Sequence, residues 1–235
     1  MKINACCDRC EKRLYAQEIP IFTSLSRNEL EQIIDLREHG HFKKGDVLFS
    51  EGDEISKLFI VSNGLVKLTK NTFDGKEQII DILGVGDFFG ENNIIGDSHA
   101  MNVSAIAIQD LEVCTISRGD LEKIITKNPQ IALKLLDGLN KKLKDVQNLS
   151  TNLASNVPES RIANILLKFA SDYSYDNNSE ILINLPLNRE DIANYCGIAR
   201  ETLSRKLSYL EKLDIIEVHS KKIKIKDIEY LKELV

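Results

Sequence analysis

The chain has 235 residues, of which 43% are hydrophobic, 29% charged and 6% aromatic, and its formal net charge is −5. It is too apolar for a disordered chain, and no apolar run approaches the ~18–20 residues that span a bilayer. The acidic total excludes nucleic-acid binding by bulk charge but leaves room for a local basic face, and the absence of a secretory signal pattern makes a cytoplasmic protein without a membrane partner the expectation.

Residues 1–20 form a Cys- and charge-rich lead segment with Cys6, Cys7 and Cys10; the other two cysteines are Cys114 and Cys196. An odd count in a cytoplasmic chain argues against a disulfide framework and for a metal site or a redox-active thiol. Cys7 and Cys10 have C-x-x-C spacing and are the candidate metal ligands. Ser26 and Glu29 then form a capping-box pattern, which predicts a helix carrying Leu30, Ile33, Ile34 and Leu36 and ending before Gly40.

From about His39 to Ser117, short β-branched runs alternate with turn signals at Gly45-Asp46, Gly52-Asp53, Asn63-Gly64, Asp74-Gly75, Gly84 to Asp87 and Gly96-Asp97. Strands are expected at Lys57 to Ser62, Leu65 to Lys70, Glu77 to Leu83 and Glu112 to Ser117. Many short strands with regular turns indicate an antiparallel sandwich or roll. His39 and His41, two apart, would share a strand face and are expected at the surface.

A short helix is expected at 118–128. A second one follows Pro129 and runs through Leu153, ~38 Å long at 1.5 Å per residue. Along it Ala132, Leu136, Leu139, Leu143, Val146, Ser150 and Leu153 keep alternating steps of four and three. That heptad seam predicts a two-stranded coiled coil, and Leu133, Leu135 and Leu149 offer a second stripe for packing on the chain's own domain.

Asn156-Val157-Pro158 reads as a hinge, followed by a helix with Ile162, Ile165, Leu166 and Phe169 on one face. Tyr173 to Glu180 reads as a polar loop. Strand Ile181 to Leu185, helix Arg189 to Cys196, a turn at Gly197, helix Ala199 to Leu213, a hairpin around His219 to Lys222 and a last short helix give a winged helix-turn-helix order. The fold class is therefore α+β. Its expected parts are the lead segment 1–20, a β-roll effector domain 21–128, a dimerisation helix 129–154 and a winged helix-turn-helix domain 155–235.

In the helix pair, Ala193 permits a close crossing, and Ile192, Ile198, Leu203 and Leu207 supply the apolar contact. The second helix then shows solvent Arg200, Glu201, Ser204 and Arg205 within about one turn. A guanidinium can pair bidentately with guanine and a carboxylate can accept from cytosine N4, so these four are the candidate DNA-binding residues. From Ala199 to Lys226 there are eight Lys/Arg against four acids, a local basic excess inside an acidic chain. No nucleophile–base motif, P-loop or paired-carboxylate signature is present, and no enzymatic activity is expected.

Gly-Ile-Ala-Arg-Glu-Thr-Leu-Ser-Arg at 197–205 resembles the recognition motif of the CRP/FNR bacterial transcription regulators. The glycine pattern of the roll, including Gly86-Asp87-Phe88 and Gly90-Glu91, is similar to that family's β-roll, and the heptad helix to its dimerisation helix. The resemblance implies a transcription regulator, homodimeric, reading a palindromic double-stranded DNA operator and working with RNA polymerase. It implies base contacts by Glu201, Ser204 and Arg205, as in the FNR branch.

The resemblance also bears on the signal. The CRP cyclic AMP site uses a Gly-Glu pair and a later Arg-Ser pair. Here Gly90 and Glu91 are kept, but Met101 and Asn102 stand where Arg and Ser belong, so the phosphate loses its cation and cyclic AMP is disfavoured. Cys114 falls at the place of the distant FNR cluster ligand, so Cys6, Cys7, Cys10 and Cys114 are redox or cluster candidates. Four thiolates suit an iron–sulfur cluster. Directly adjacent Cys6 and Cys7 depart from the FNR spacing, which leaves a reversible disulfide to Cys114, zinc, or no sensing role as open alternatives. No cofactor is required by the disulfide reading. The rival function is a small-molecule-binding regulatory protein, with an effector near Gly90, Glu91, Met101 and Asn102, that does not sense through its cysteines.

Overall fold

The computed structural model describes residues 37–73, 75–95, 100–154, 157–177, 180–184, 187–219 and 222–235. Cys6, Cys7, Cys10, the capping-box helix up to Leu36, Asp74, Gly96-Asp97, Asn156, Leu185 and Lys221 lie outside the described residues. The chain divides into two compact units at Leu143/Lys144, with residues 76–79 grouped with the second.

In the first unit, β1 (Arg37–Phe42), β2 (Val47–Phe49), β3 (Lys57–Asn63), β4 (Val66–Asn71), β5 (Glu77–Leu83), β6 (Phe88–Phe89), β7 (Ser104–Ala107) and β8 (Leu111–Ser117) form two antiparallel sheets ordered β1-β8-β3-β6 and β2-β7-β4-β5. A single turn of helix, α1 (Asn92–Ile95), follows β6; α2 (Arg118–Lys127) and α3 (Gln130–Ala154) follow β8. The expected strands are present. The helix expected to run toward Gly40 is not helical in its last residues, because Arg37–Phe42 pairs residue for residue with Ile116–Leu111 of β8.

Strand periodicity explains the layering. Alternate side chains of β3 and β8 point to opposite faces. Leu58 and Ile60 of β3, with Cys114 and Ile116 of β8, join Leu121 and Ile124 of α2 and Ile131 and Leu135 of α3 in one core. Phe59 and Val61, with Leu111 and Val113, join Phe49, Val66, Ala105 and Ala107 of the second sheet in another. The first sheet is thus covered on both faces, which is why β3 reads as a continuous apolar run. Phe59 and Phe89 stack at 5.0 Å between ring centroids. The Asn63-Gly64 turn requires glycine: its φ is +82° and a Cβ would stand 2.2 Å from the Asp110 carbonyl oxygen.

Along α3, Ile131 and Leu135 are buried and Leu139 packs against the same core. Leu133, expected on the packed stripe, is 55% exposed, because two residues turn a helix through ~200° and carry it away from Leu135. The side chain of Leu149 lies outside the description. Leu136, Leu143 and Val146 of the heptad seam are 59%, 56% and 51% exposed in the single chain.

The second unit contains α4 (Pro158–Tyr173), β9 (Ser174–Asn177), β10 (Glu180–Asn184), α5 (Arg189–Cys196), α6 (Arg200–Lys212), β11 (Ile216–His219), β12 (Lys222–Ile225) and α7 (Ile228–Glu233). Its sheet is ordered β11-β12-β10-β9. The segment read as a polar loop is strand β9, held by pairing of Ser174–Asn177 with Ile183–Glu180; cross-strand hydrogen bonding specifies it where hydrophobic patterning does not. Ile162, Ile165, Leu166 and Phe169 of α4 are all buried, and α4 touches α5, α6, α7 and β10.

Candidate nucleic-acid interface and sensor residues

Helix α5 starts on a reciprocal cap. Asn188 Oδ1 accepts from Asp191 N at 2.8 Å, and Asn188 N donates to Asp191 Oδ2 at 3.4 Å. Such a cap satisfies two N–H groups that the first helical turn leaves without partners. The helix ends on Gly197 in the left-handed region at φ 62°. Arg161 of α4 donates from Nη1 to the carbonyls of Cys196 and Gly197 at 3.3 and 3.1 Å, so a cation closes the carboxyl end of α5. Buried Ala193, Ile192, Leu203 and Leu207 fill the space between α5 and α6, with Ile198 half-buried.

That packing turns the other side of α6 outward. Arg200, Glu201 and Arg205 are exposed and Ser204 is half-buried. The four residues predicted to read bases are therefore brought together at the start of one helix. Ala199 provides no side-chain cap to α6.

The local basic excess is smaller than the sequence count. Lys206 is bonded to Glu159 of α4, and its hydrogen bond holds the Glu159 carboxyl below the usual glutamate range. Lys226 pairs with Asp214 at 2.6 Å and Glu217 at 3.5 Å, two of the four acids already in that count. Arg200, Arg205, Lys212 and Lys222 are exposed. Two residues absent from the sequence reading support the helix pair: Arg161, and Lys168, which donates to the Tyr195 hydroxyl at 3.0 Å. Neither has a local signature, since each partner is about 30 residues away in the chain. Cys196 is buried, and burial pushes its thiol up to about 12, which fits a packing role.

In the roll, Gly90 has φ +86° and a Cβ there would stand 2.6 Å from the Lys57 carbonyl oxygen. Glu91 faces α3: its Oε1 accepts from Lys142 Nζ at 2.8 Å, and Lys142 also donates to the Phe88 carbonyl and lies 4.5 Å from the Phe88 ring centroid. Glu91 Oε2 is buried without a hydrogen-bond partner among the described residues. Met101 is buried in the core between the two sheets and Asn102 is exposed. Gly84 to Asp87 is a turn in which Gly84 N donates to Asp87 Oδ2 at 2.9 Å; burial raises the Asp87 carboxyl.

Cys114, the described member of the cysteine set, is buried on β8. His39, expected at the surface, is 8% exposed because it is the cross-strand partner of Cys114 at the covered face. His41 is exposed and lies 3.8 Å from Glu112. Among the described residues no group of three or more His, Cys, Asp or Glu is placed to hold a metal, and no helix there is long and apolar enough to cross a membrane.

Residues 39–128 match the cyclic nucleotide-binding domain family and residues 160–234 the Crp-like helix-turn-helix domain family. The fumarate and nitrate reduction regulatory protein of Vibrio cholerae is 30% identical over 230 residues, covering 97% of this chain and 91% of the relative. The CRP-like cAMP-activated global transcriptional regulator of Mycobacterium tuberculosis is 29% identical over 190 residues, 81% of this chain and 84% of the relative. Among solved structures, FixK2 from Bradyrhizobium japonicum superposes with a TM-score of 0.75 at 26% identity, covering 83% of this chain and 96% of that one.

Proposed function

The chain belongs to the CRP/FNR family of transcription regulators, and from that membership we propose a homodimer that reads a two-fold symmetric operator with α6 and answers to redox state or oxygen through its cysteines. Its helix-turn-helix is a DNA-binding domain. One observation carries the reading: a capped, Gly-terminated helix packs beneath α6 and leaves Arg200, Glu201 and Arg205 exposed at the start of α6. Arg200 and Arg205 offer bidentate donors to guanine, Glu201 an acceptor to cytosine, and Ser204 a hydroxyl to either. The uncapped N–H groups at the start of α6 suit a backbone phosphate.

The second copy covers Leu136, Leu143 and Val146 of α3. A seam of this heptad spacing suits a two-stranded coiled coil, and a palindrome demands two recognition helices one duplex turn apart, ~34 Å, which only a dimer supplies. RNA polymerase is the partner this family role implies.

The signal enters through Cys114 and the N-terminal thiols, by reversible disulfide formation or an iron–sulfur cluster. Cyclic AMP is not the effector. Lys142 already occupies the Glu91 carboxylate, and Met101 brings no cation for a phosphate.

A gel-shift series with a palindromic operator, run with and without thiol reductant and with and without cyclic AMP, tests this. Retarded complexes that respond to reductant and ignore cyclic AMP are expected. No operator binding under any condition would leave the effector-binding rival in possession. A visible spectrum of anaerobically purified protein separates the two cysteine chemistries: absorbance that bleaches in air marks a cluster, and a colourless protein marks thiols.

A further inference from the structure

Three helices of the second unit are joined at one side chain. Lys168 of α4 donates from Nζ to the Tyr195 hydroxyl at 3.0 Å, and the same Nζ lies 3.9 Å from Asp145 Oδ2 on α3. It also stands 5.6 Å from the centroid of the Tyr195 ring. Asp145 belongs to the second unit, which takes in α3 from Lys144 onward. The Lys168 and Asp145 side chains are 25% and 36% exposed. Lys168 thus links the carboxyl-terminal part of α3 to α5, the helix beneath the base-reading face of α6.

Each end of the link is attached to an element that bears on DNA. On α3, Leu143 and Val146 of the heptad seam are exposed in the single chain. Asp145 lies ~200° round the helix from Leu143 and ~100° from Val146, so it is turned off the seam and toward its own chain. On α5, Tyr195 is buried and immediately precedes Cys196 and Gly197, whose carbonyls accept from Arg161 of α4. Its ring stacks on Phe169 of α4 at 6.3 Å between centroids. Tyr195 and the turn into α6 are therefore fixed to α4, and Lys168 carries that block to the seam helix.

We propose that Lys168 is a positioning residue for operator binding. By bridging Asp145 to Tyr195 it fixes the angle between the seam helix and the helix-turn-helix of its own chain, and so the separation of two recognition helices in a dimer. This role rests on the dimer reading above. A palindrome is held tightly only when both α6 helices reach successive major grooves, ~34 Å apart. Changing the spacer by one base pair moves a half-site ~3.4 Å along the duplex and ~35° around it. A block free to pivot on α3 follows that shift, and a braced block does not. A single half-site makes no such demand, so the link bears on the palindrome alone. One ion pair of this exposure contributes modestly, and a dimer carries two.

The probe is a palindromic duplex selected by the unmutated full chain from a random pool, with derivatives that keep one half-site or have a spacer one base pair longer or shorter. Asp145→Asn removes the charge and leaves the Lys168–Tyr195 bond in place. It should weaken palindrome binding roughly three- to tenfold, flatten the spacer preference and leave half-site affinity unchanged. Asp145→Lys should do the same more strongly. Adding Lys168→Glu to Asp145→Lys should restore both readouts, because the reversed pair attracts and a carboxylate accepts from the Tyr195 hydroxyl. In sedimentation every variant should be as dimeric as the unmutated chain. Unchanged palindrome affinity and spacer preference in Asp145→Asn, equal losses on half-site and palindrome, a monomeric variant, or no rescue by the reversed pair would each overturn the link. With an unmutated chain that prefers the palindrome, any of these leaves the dimer reading standing. An unmutated chain that holds palindrome and single half-site equally refutes the dimer reading, and the link falls with it.

Discussion

Lys142 on α3 donates to the carboxylate of Glu91 at 2.8 Å, so a cation of the chain's own rests on the acid that follows Gly90. The two side chains are 21% and 13% exposed. The pair is therefore partly desolvated, between a surface ion pair and a buried one. Lys142→Met should destabilise the first unit by about 2 kcal/mol, and adding Glu91→Gln should recover most of that loss. Thermal unfolding of the four proteins in a double-mutant cycle reads the coupling; strictly additive effects would show that the contact contributes nothing.

Base reading and structural support can be separated on α6. Arg205 is exposed and free of the core, so Arg205→Ala should cost ~1–3 kcal/mol of operator affinity and relax base choice at one position per half-site. Lys206 is bonded to Glu159, so Lys206→Met should lower stability and leave the order of base preference intact. Competition gel shifts over a panel of operator variants distinguish the two.

Leu143 is 56% exposed on the heptad seam. A carboxylate there would be buried without a partner if two seams meet. Leu143→Asp should yield monomers in sedimentation velocity and reduce operator binding to the level of a single half-site. A dimer that survives this change would move the interface elsewhere.

Burial raises the Cys196 thiol from an ordinary 9.0 to about 12. The neutral thiol is the reactive thiolate's precursor, so iodoacetamide at mildly alkaline pH should label Cys196 only after unfolding. The folded value lies above the unfolded one. Its contribution to stability is therefore complete below about pH 9 and declines as pH rises toward about 12. Cys196→Ser should remove that alkaline decline, read from urea midpoints across the range.

Asn188, Asp191 and Gly197 should also report on α5. Asn188→Ala removes the acceptor for Asp191 N and should cost about 1 kcal/mol in the second unit, measured by denaturant unfolding.

The outward side of α6 is legible in the sequence because its signal is local. Gly197, Ala193 and the Leu203–Leu207 spacing set which side of α6 is buried, and the remaining side is read by subtraction. Strands such as Lys57–Asn63 were legible from their apolar run and the glycine turns that bound them. β1 and β9 were not, since each owes its form to a partner strand: β1 to Cys114 and its neighbours, β9 to Ile181–Ile183. Ion pairs were equally hidden. Lys206 and Glu159 are separated by 47 residues, and a count of Lys and Arg cannot see that one of them is already neutralised. The burial of His39 is hidden for the same reason, since it follows from the strand opposite.

The sheet containing β3 and β8 is roofed on both sides by apolar layers. Its amides should be the last of the first unit to exchange with deuterated solvent, at rates set by whole-unit opening. Solvent and small reagents then reach Cys114, 1% exposed in that sheet, only when the whole unit opens, so its thiol should resist labelling as long as those amides resist exchange.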